Sequence, residues 1–300
     1  MTVLPLEAWT VLSQQHRAAV ESRTHDRLAR RDRGVKHPVE DFLFEYYGFT
    51  PGRLARWHPG PGVGLASAAG MPRATWRHYR SDGDVVTFDS VSFLARRGRT
   101  VDFVRSLLTA TLSRPATAGC FGLHEWAMVH GIPEGGARHE KWLLRLGSAG
   151  TDEVVESHTI KCSHFDAYRF FTPSAAPRNT LQPTREGQVA HEQPGCLHAG
   201  MDVYKWCFKL EPLVPSQLVL DAFDLAREIR LLDMQASPYD LADLGVEPVR
   251  IETPEGKADY VARQRDFARR ANALRRSLIS VLDELSALRG AGAPSSALNS

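Results

Sequence analysis

All four cysteines of this chain lie between Cys120 and Cys207, and seven of its twelve histidines lie between His124 and His198. Trp126, Tyr168, Phe170, Phe171, Tyr204 and Trp206 interleave with them. The stretch therefore collects the residue types that move protons, ligate metals and grip flat ligands. The competing reading is an aromatic core with polar residues at its rim. His124-Glu125 invites comparison with H-E-x-x-H zinc hydrolases, which need two histidines four residues apart on one helix face. His124 and His130 are six apart, about 240° around a helix, so that chemistry is excluded. Glu125 beside Trp126 is a candidate acid or base, because an apolar neighbour raises a carboxyl pKa.

Two C-x-H pairs follow, Cys162/His164 and Cys196/His198. In extended chain each pair shares one face, and together they form an alternative set of two thiolates and two imidazoles for zinc. The principal expectation is no metal and no cofactor. Asp166 sits among Phe165, Tyr168, Phe170 and Phe171, with Arg169 three residues on. A carboxylate beside aromatic faces suits a flat, electron-poor or cationic ring; the bland alternative is an Asp166–Arg169 ion pair. After the Pro194-Gly195 turn come Asp202, Tyr204, Lys205 and Trp206. If that segment is helical, Asp202 and Trp206 lie one turn apart on one side.

These groups need a scaffold, and the pattern is mainly helical. Helices are expected over residues 6–33, 38–47, 51–57, 90–112 and 256–288. Pro215 opens the clearest one, with Leu218, Ala222, Leu225, Ile229 and Leu232 in helical phase. Its neighbouring stripe, Asp221, Asp224 and Glu228, could hold a metal, but Arg227 and Arg230 beside it favour an ion-paired surface. Asp89 or Ser90 is placed to cap the helix starting at 90. Residues 58–72 and 173–193 read as loops. Short strands are expected at 76–79, 84–88, 143–146 and 153–160. The expectation is a mainly α, multi-helical single domain over residues 1–289 with a few short strands, and a disordered tail over 290–300.

The composition, 43% hydrophobic and 24% charged, excludes a chain disordered throughout. No targeting segment and no apolar run of about 18 residues is evident, so no membrane partner is expected. With no C-x-x-C pair, free thiols in a reducing cytoplasm are the simplest reading. The net charge of +2 divides unevenly: Glu7 to Lys36 carries +3 and Lys257 to Arg289 carries +4. Two basic ends could track phosphates, or could be ion-paired solvent faces. Nothing indicates the oligomeric state.

Several segments carry a family resemblance: KHPVEDFLFEYY from Lys36, GCFGLHEWAM from Gly119, SHFDAYRFFTP from Ser163, EQPGCLHAGMDVYKW from Glu192 and DLAREIRLLDMQASPYDLADLG from Asp224. Over roughly residues 40–260 the chain resembles actinobacterial proteins commonly labelled 3-methyladenine DNA glycosylase. No helix-hairpin-helix motif accompanies the resemblance. It implies a base-excision repair hydrolase that cleaves the N-glycosidic bond of an alkylated purine, with DNA as partner. Such an enzyme flips the base, stacks it and stabilises a cationic sugar with a carboxylate. Under that reading Glu125, Asp166 and Asp202 are the catalytic candidates. His124, Trp126, His164, Tyr168, Arg169, Phe171, His198, Tyr204 and Trp206 are the substrate-binding ones. The alternatives are a metal-dependent or small-molecule enzyme using the cluster of residues 119–206, and a non-catalytic binding protein.

Overall fold

The computed structural model describes residues 1–133 and 142–291, with side chains described as far as Ser286. The expected tail over 290–300 falls almost wholly outside the described residues; at its start, the last helix runs on to Ala291.

The described chain is mainly helical, with eleven α-helices and one small sheet. In chain order the helices are α1 (Leu6–Asp32), α2 (Phe42–Tyr47), α3 (Pro51–Leu54), α4 (Ser90–Ser113), α5 (Leu123–Ala127) and α6 (Gly147–Glu156). They continue with α7 (Phe165–Tyr168), α8 (Gln188–His191), α9 (Leu197–Lys209), α10 (Ser216–Gln235) and α11 (Pro254–Ala291). The strands are β1 (Thr2–Leu4), β2 (Val63–Leu65), β3 (Tyr79–Asp82) and β4 (Val85–Phe88), in the order β1-β2-β4-β3. β1 and β2 are parallel and the other pairs antiparallel. Gly83, at φ +57°, supplies the left-handed residue that the tight β3–β4 connection requires.

α9 lies at the centre, packed against both α10 and α11. It is buried almost all round from Leu197 to Phe208, as expected of a helix enclosed by others. Gly200 lets α10 approach: a Cβ there would stand 2.9 Å from Ile229 Cδ1. On α10 the expected apolar phase is the one that packs, with Ala222, Leu225, Ile229 and Leu232 buried. Its acidic stripe is an ion-paired face: Asp224 meets Arg23 at 2.7 Å, Glu228 meets Arg270 at 2.6 Å, and Asp221 accepts from Gln217. Asp89 caps α4, accepting from the Ser92 amide at 3.0 Å.

Two of the expected strands are corrected. Residues 153–156 complete α6, where Thr151, Val154 and Val155 are the buried positions. The β-branched Val154 and Val155 suggested a strand, but their i, i+3, i+4 burial with Thr151 is the helical pattern, and packing outweighs propensity. Near 143–146 only Leu144 makes an isolated bridge, to Tyr239. Residues 76–78 precede β3 rather than form it, and the 58–72 loop contains β2. β1 and β2 have three residues each, too few to show a period.

Among the described residues no helix is long and apolar enough to cross a membrane.

Candidate functional site

α5, α9 and α10, with the chain just before α7 and just after α8, converge on a buried cluster of three histidines and four carboxylates. α5 supplies His124 and Glu125. His164 immediately precedes α7, and Glu192 immediately follows α8. α9 contributes His198, Asp202 and Lys205, and α10 contributes Arg230 and Asp233. His198, Asp202 and Lys205 are four and three residues apart, so one α9 face presents all three.

The cluster has two halves. In the first, His124 Nε2 lies 2.9 Å from Asp233 Oδ1, and the His124 ring meets the His198 ring edge-on at 4.4 Å. One donor atom each of His124, His198 and Asp233 lies within 4.8 Å of the others. Asp233 Oδ2 accepts from Arg230 at 2.8 Å, and the same guanidinium donates to Glu125 at 3.1 Å. His124 Nε2 and Asp233 Oδ1 are both buried, and neither makes a hydrogen bond of acceptable geometry. They face each other as a buried ion pair.

The second half is His164, Glu192 and Asp202, with donor atoms equally close. His164 Nε2 stands 3.2 Å from Asp202 Oδ2 and 3.5 Å from Glu192 Oε1. Here the carboxylate bonds are made, while His164 Nδ1 is buried without one. Tyr47 donates to Asp202 Oδ1 at 2.9 Å, the Lys205 ammonium donates to Asp202 Oδ2, and Gln188 donates to Glu192. The His198 ring stacks on His164 at 5.3 Å and so links the two halves.

The electrostatics follow from these contacts. Burial alone would lower the His124 pKa, but Asp233 beside it carries it well above the ordinary histidine value. His164 is likewise lowered by burial and raised, on balance, by Asp202 and Glu192. His198 has burial and the His124 charge against protonation, and is pushed well below its ordinary value. Asp202 and Asp233 resist burial and stay below the usual carboxylate range, held by Lys205 and His164 in one case and His124 in the other. Burial, then Asp202, raises the Tyr47 phenol, which keeps it a donor.

The cluster opens into a cavity of about 590 Å³, within the ordinary size for small-molecule sites. Glu125, Asp166 and Asp202 all line it, as do His164 and His198. Each acid is also ion-paired: Glu125 with Arg230, Asp202 with Lys205, and Asp166 with Arg169 at 3.2 Å and Lys205 at 3.6 Å. The Arg169 guanidinium lies 3.9 Å from the Phe170 ring centroid.

Seven expected pocket residues do not line this cavity, among them Arg169, which pairs with Asp166 and stacks on Phe170 from outside the lining. Trp126 is fully buried and donates to the Ala236 carbonyl at 2.7 Å. Tyr204 is enclosed by Tyr47, Phe49, Phe208 and Phe223. Trp206 packs on Phe103, because the cavity ends one turn earlier on α9. Tyr168 and Phe171 pack on each other, and the Tyr168 hydroxyl donates to Gln182. The aromatic wall comes from elsewhere: Phe42, Tyr46, Tyr47, Trp142, Phe170 and Tyr239. His124 lies behind the wall, on Asp233.

The set Cys162, His164, Cys196 and His198 is also revised. Its two histidines do meet, but among the described residues their metal-capable neighbours are carboxylates, and neither group includes a cysteine. Cys162 Sγ instead bonds the His164 carbonyl at 3.6 Å, and burial pushes both thiols up, away from the thiolate a metal needs. His124 and His130 have separate partners, Asp233 and Ser174, consistent with the excluded zinc-hydrolase reading.

Sequence reasoning missed Asp233, Glu192 and Arg230. Asp233 carried a readable signal: it stands four residues after Ile229, on the buried phase of α10, where a carboxylate needs a partner.

No family model, curated protein or solved structure matches the chain.

Proposed function

We propose that this protein is a metal-dependent enzyme that hydrolyses a small, flat substrate in the aromatic cavity, with His124, His198 and Asp233 as metal ligands. One observation carries the reading. His124 Nε2 and Asp233 Oδ1 are buried 2.9 Å apart, and His198 presents a third donor atom within 4.8 Å of both. Two imidazoles and one carboxylate, with the remaining positions open, are a donor set that zinc and other first-row divalent metals accept.

The surrounding groups suit that role. Arg230 holds the second oxygen of Asp233, and Cys120 Sγ lies 3.9 Å from His124 Nδ1. Such contacts orient ligands. A bound metal would supply Lewis-acid activation of water. Glu125, tied to Arg230 at the cavity wall, is the nearest candidate to take a proton. Phe42, Tyr46, Tyr47 and Phe170 offer ring faces to a flat substrate, and Asp166, a quarter exposed, favours one with positive charge or hydrogen-bond donors.

The test is elemental analysis of the purified chain after reconstitution with zinc, manganese or iron(II). About one equivalent is expected, lost in His124→Ala and in Asp233→Asn. No metal retained by the unsubstituted protein would sink the reading.

A second reading, cleavage of the N-glycosidic bond of an alkylated purine, is favoured by Glu125, Asp166 and Asp202 sharing one aromatic cavity. It expects release of methylated adenine from alkylated DNA, abolished by Asp166→Asn. It ranks second because several cations of the basic terminal helices that would grip DNA are already ion-paired: Arg23, Arg30, Arg263 and Arg270 all meet carboxylates.

A further inference from the structure

A concentration of positive charge lines a second cavity, of about 570 Å³, at the far end of α9. Arg53, Arg56, Arg77, Arg97 and Lys209 line it, with Glu211 as their one acidic companion. Among the described residues the only ion pair within this lining is Arg53–Glu211, at 3.5 Å. We propose that this cleft binds the phosphate group of a small phosphorylated ligand.

Three features hold the cations in place. Arg97 donates to the Lys209 carbonyl at 2.6 Å, which fixes it against the end of α9. Arg56 lies over the Trp76 ring at 5.4 Å, and the buried Arg73 lies 4.6 Å from the same ring. Arg53 lies over Phe49 at 4.7 Å. Stacked guanidinium groups lose little freedom on binding and present forks that match phosphate oxygens.

The neighbouring titratable groups register the excess positive charge. His58, whose Nδ1 is tied to the Tyr79 hydroxyl at 2.9 Å, is pushed down to about 3 by burial and then by Arg73, Arg56 and Arg53. His78 is lowered by burial and then by Arg77, Arg96 and Arg97. Lys209 is lowered by burial and then by Lys205. A bound dianion would relieve the charge part of each penalty.

A small ligand fits better than a nucleic-acid backbone. The cleft is a concavity, and α1, which could extend a phosphate track, has most of its arginines paired with carboxylates. The proposal is independent of the metal reading.

The experiment is calorimetric titration of the full chain with sodium pyrophosphate in low-salt chloride buffer. The same titration follows on the double variant Arg56→Gln/Arg77→Gln and on Arg77→Gln alone. Binding should weaken about tenfold or more in the double variant and severalfold in the single one, with circular dichroism unchanged. If the double variant does not fold, Arg77→Gln decides, because Arg77 is exposed. No heat of binding, or equal affinity in the variants, overturns the proposal. So does sulfate binding as tightly as pyrophosphate. A twelve-residue single-stranded DNA that binds while pyrophosphate fails to displace it would also overturn it, in favour of a nucleic-acid backbone.

Discussion

The two halves of the buried cluster use the same kinds of donor and reach opposite ends. His164, Glu192 and Asp202 are closed. Both oxygens of Asp202 are taken, by Tyr47 on one side and by His164 and Lys205 on the other. His124, His198 and Asp233 are more open: Arg230 takes one Asp233 oxygen, and the other meets only the His124 imidazole, at 2.9 Å. The difference is which oxygen the internal cation takes: Lys205 shares its Asp202 oxygen with His164, whereas Arg230 takes the Asp233 oxygen turned away from His124. A buried carboxylate needs a positive partner, and where α9 delivers Lys205 an ammonium meets that need from inside the chain. In the other half Arg230 meets that need at one Asp233 oxygen, and the second oxygen is left facing the His124 imidazole. Histidine and carboxylate proximity is therefore a weak sign of a metal site; what discriminates is whether the protein has already satisfied the donors.

The largest effect that could break this comparison is Asp233→Asn. It should abolish metal retention and, by leaving Arg230 short of charge, cost about 3–5 kcal/mol in chemical denaturation. Asp202→Asn should cost a similar amount, yet keep its metal equivalent. Equal metal loss in both variants, read by elemental analysis, would remove the distinction.

Lys205→Met sharpens it further. Removing the internal cation should destabilise the fold by about 3 kcal/mol and open His164, Glu192 and Asp202 to a second metal equivalent. A variant that folds but still binds one equivalent would show that the lysine is not what closes that half.

A smaller effect is expected for Arg230→Lys, which keeps the charge but loses the shared contacts to Glu125 and Asp233. Metal affinity should fall about 10- to 100-fold, measured by chelator competition. An unchanged affinity would mean Arg230 does not orient Asp233.

The smallest concerns a histidine with no acid partner. His124 and His164 are raised by carboxylates, whereas His58 is depressed to about 3. A depressed folded-state pKa contributes stability that is full above the unfolded value near 6.5 and is lost as pH falls towards 3. Between pH 6.5 and 5 this amounts to about 2 kcal/mol. His58→Gln should flatten that part of the stability–pH curve; an identical slope would assign the loss to other groups.

Much of this was legible along the chain. The helical phase of α10, the Asp89 cap and the ion-paired stripe Asp221, Asp224 and Glu228 follow from spacing and side-chain type. Glu125, Asp166 and Asp202 could be named as cavity acids because each stood among aromatics. The wall could not: Phe42, Tyr46 and Tyr47 are distant in sequence, and Trp126, Tyr204 and Trp206 were equally plausible until packing turned them inward.

The amino-acid sequence by itself determined the helices, their buried faces and the list of groups able to do chemistry, because these depend on neighbours within a turn or two. Tertiary structure decided which donors share a space and which are already satisfied. That outcome depends on where α9 sets Lys205 and where α10 sets Arg230, 25 positions apart in the chain and brought to one cluster only by the packing of the two helices through Gly200 and Ile229.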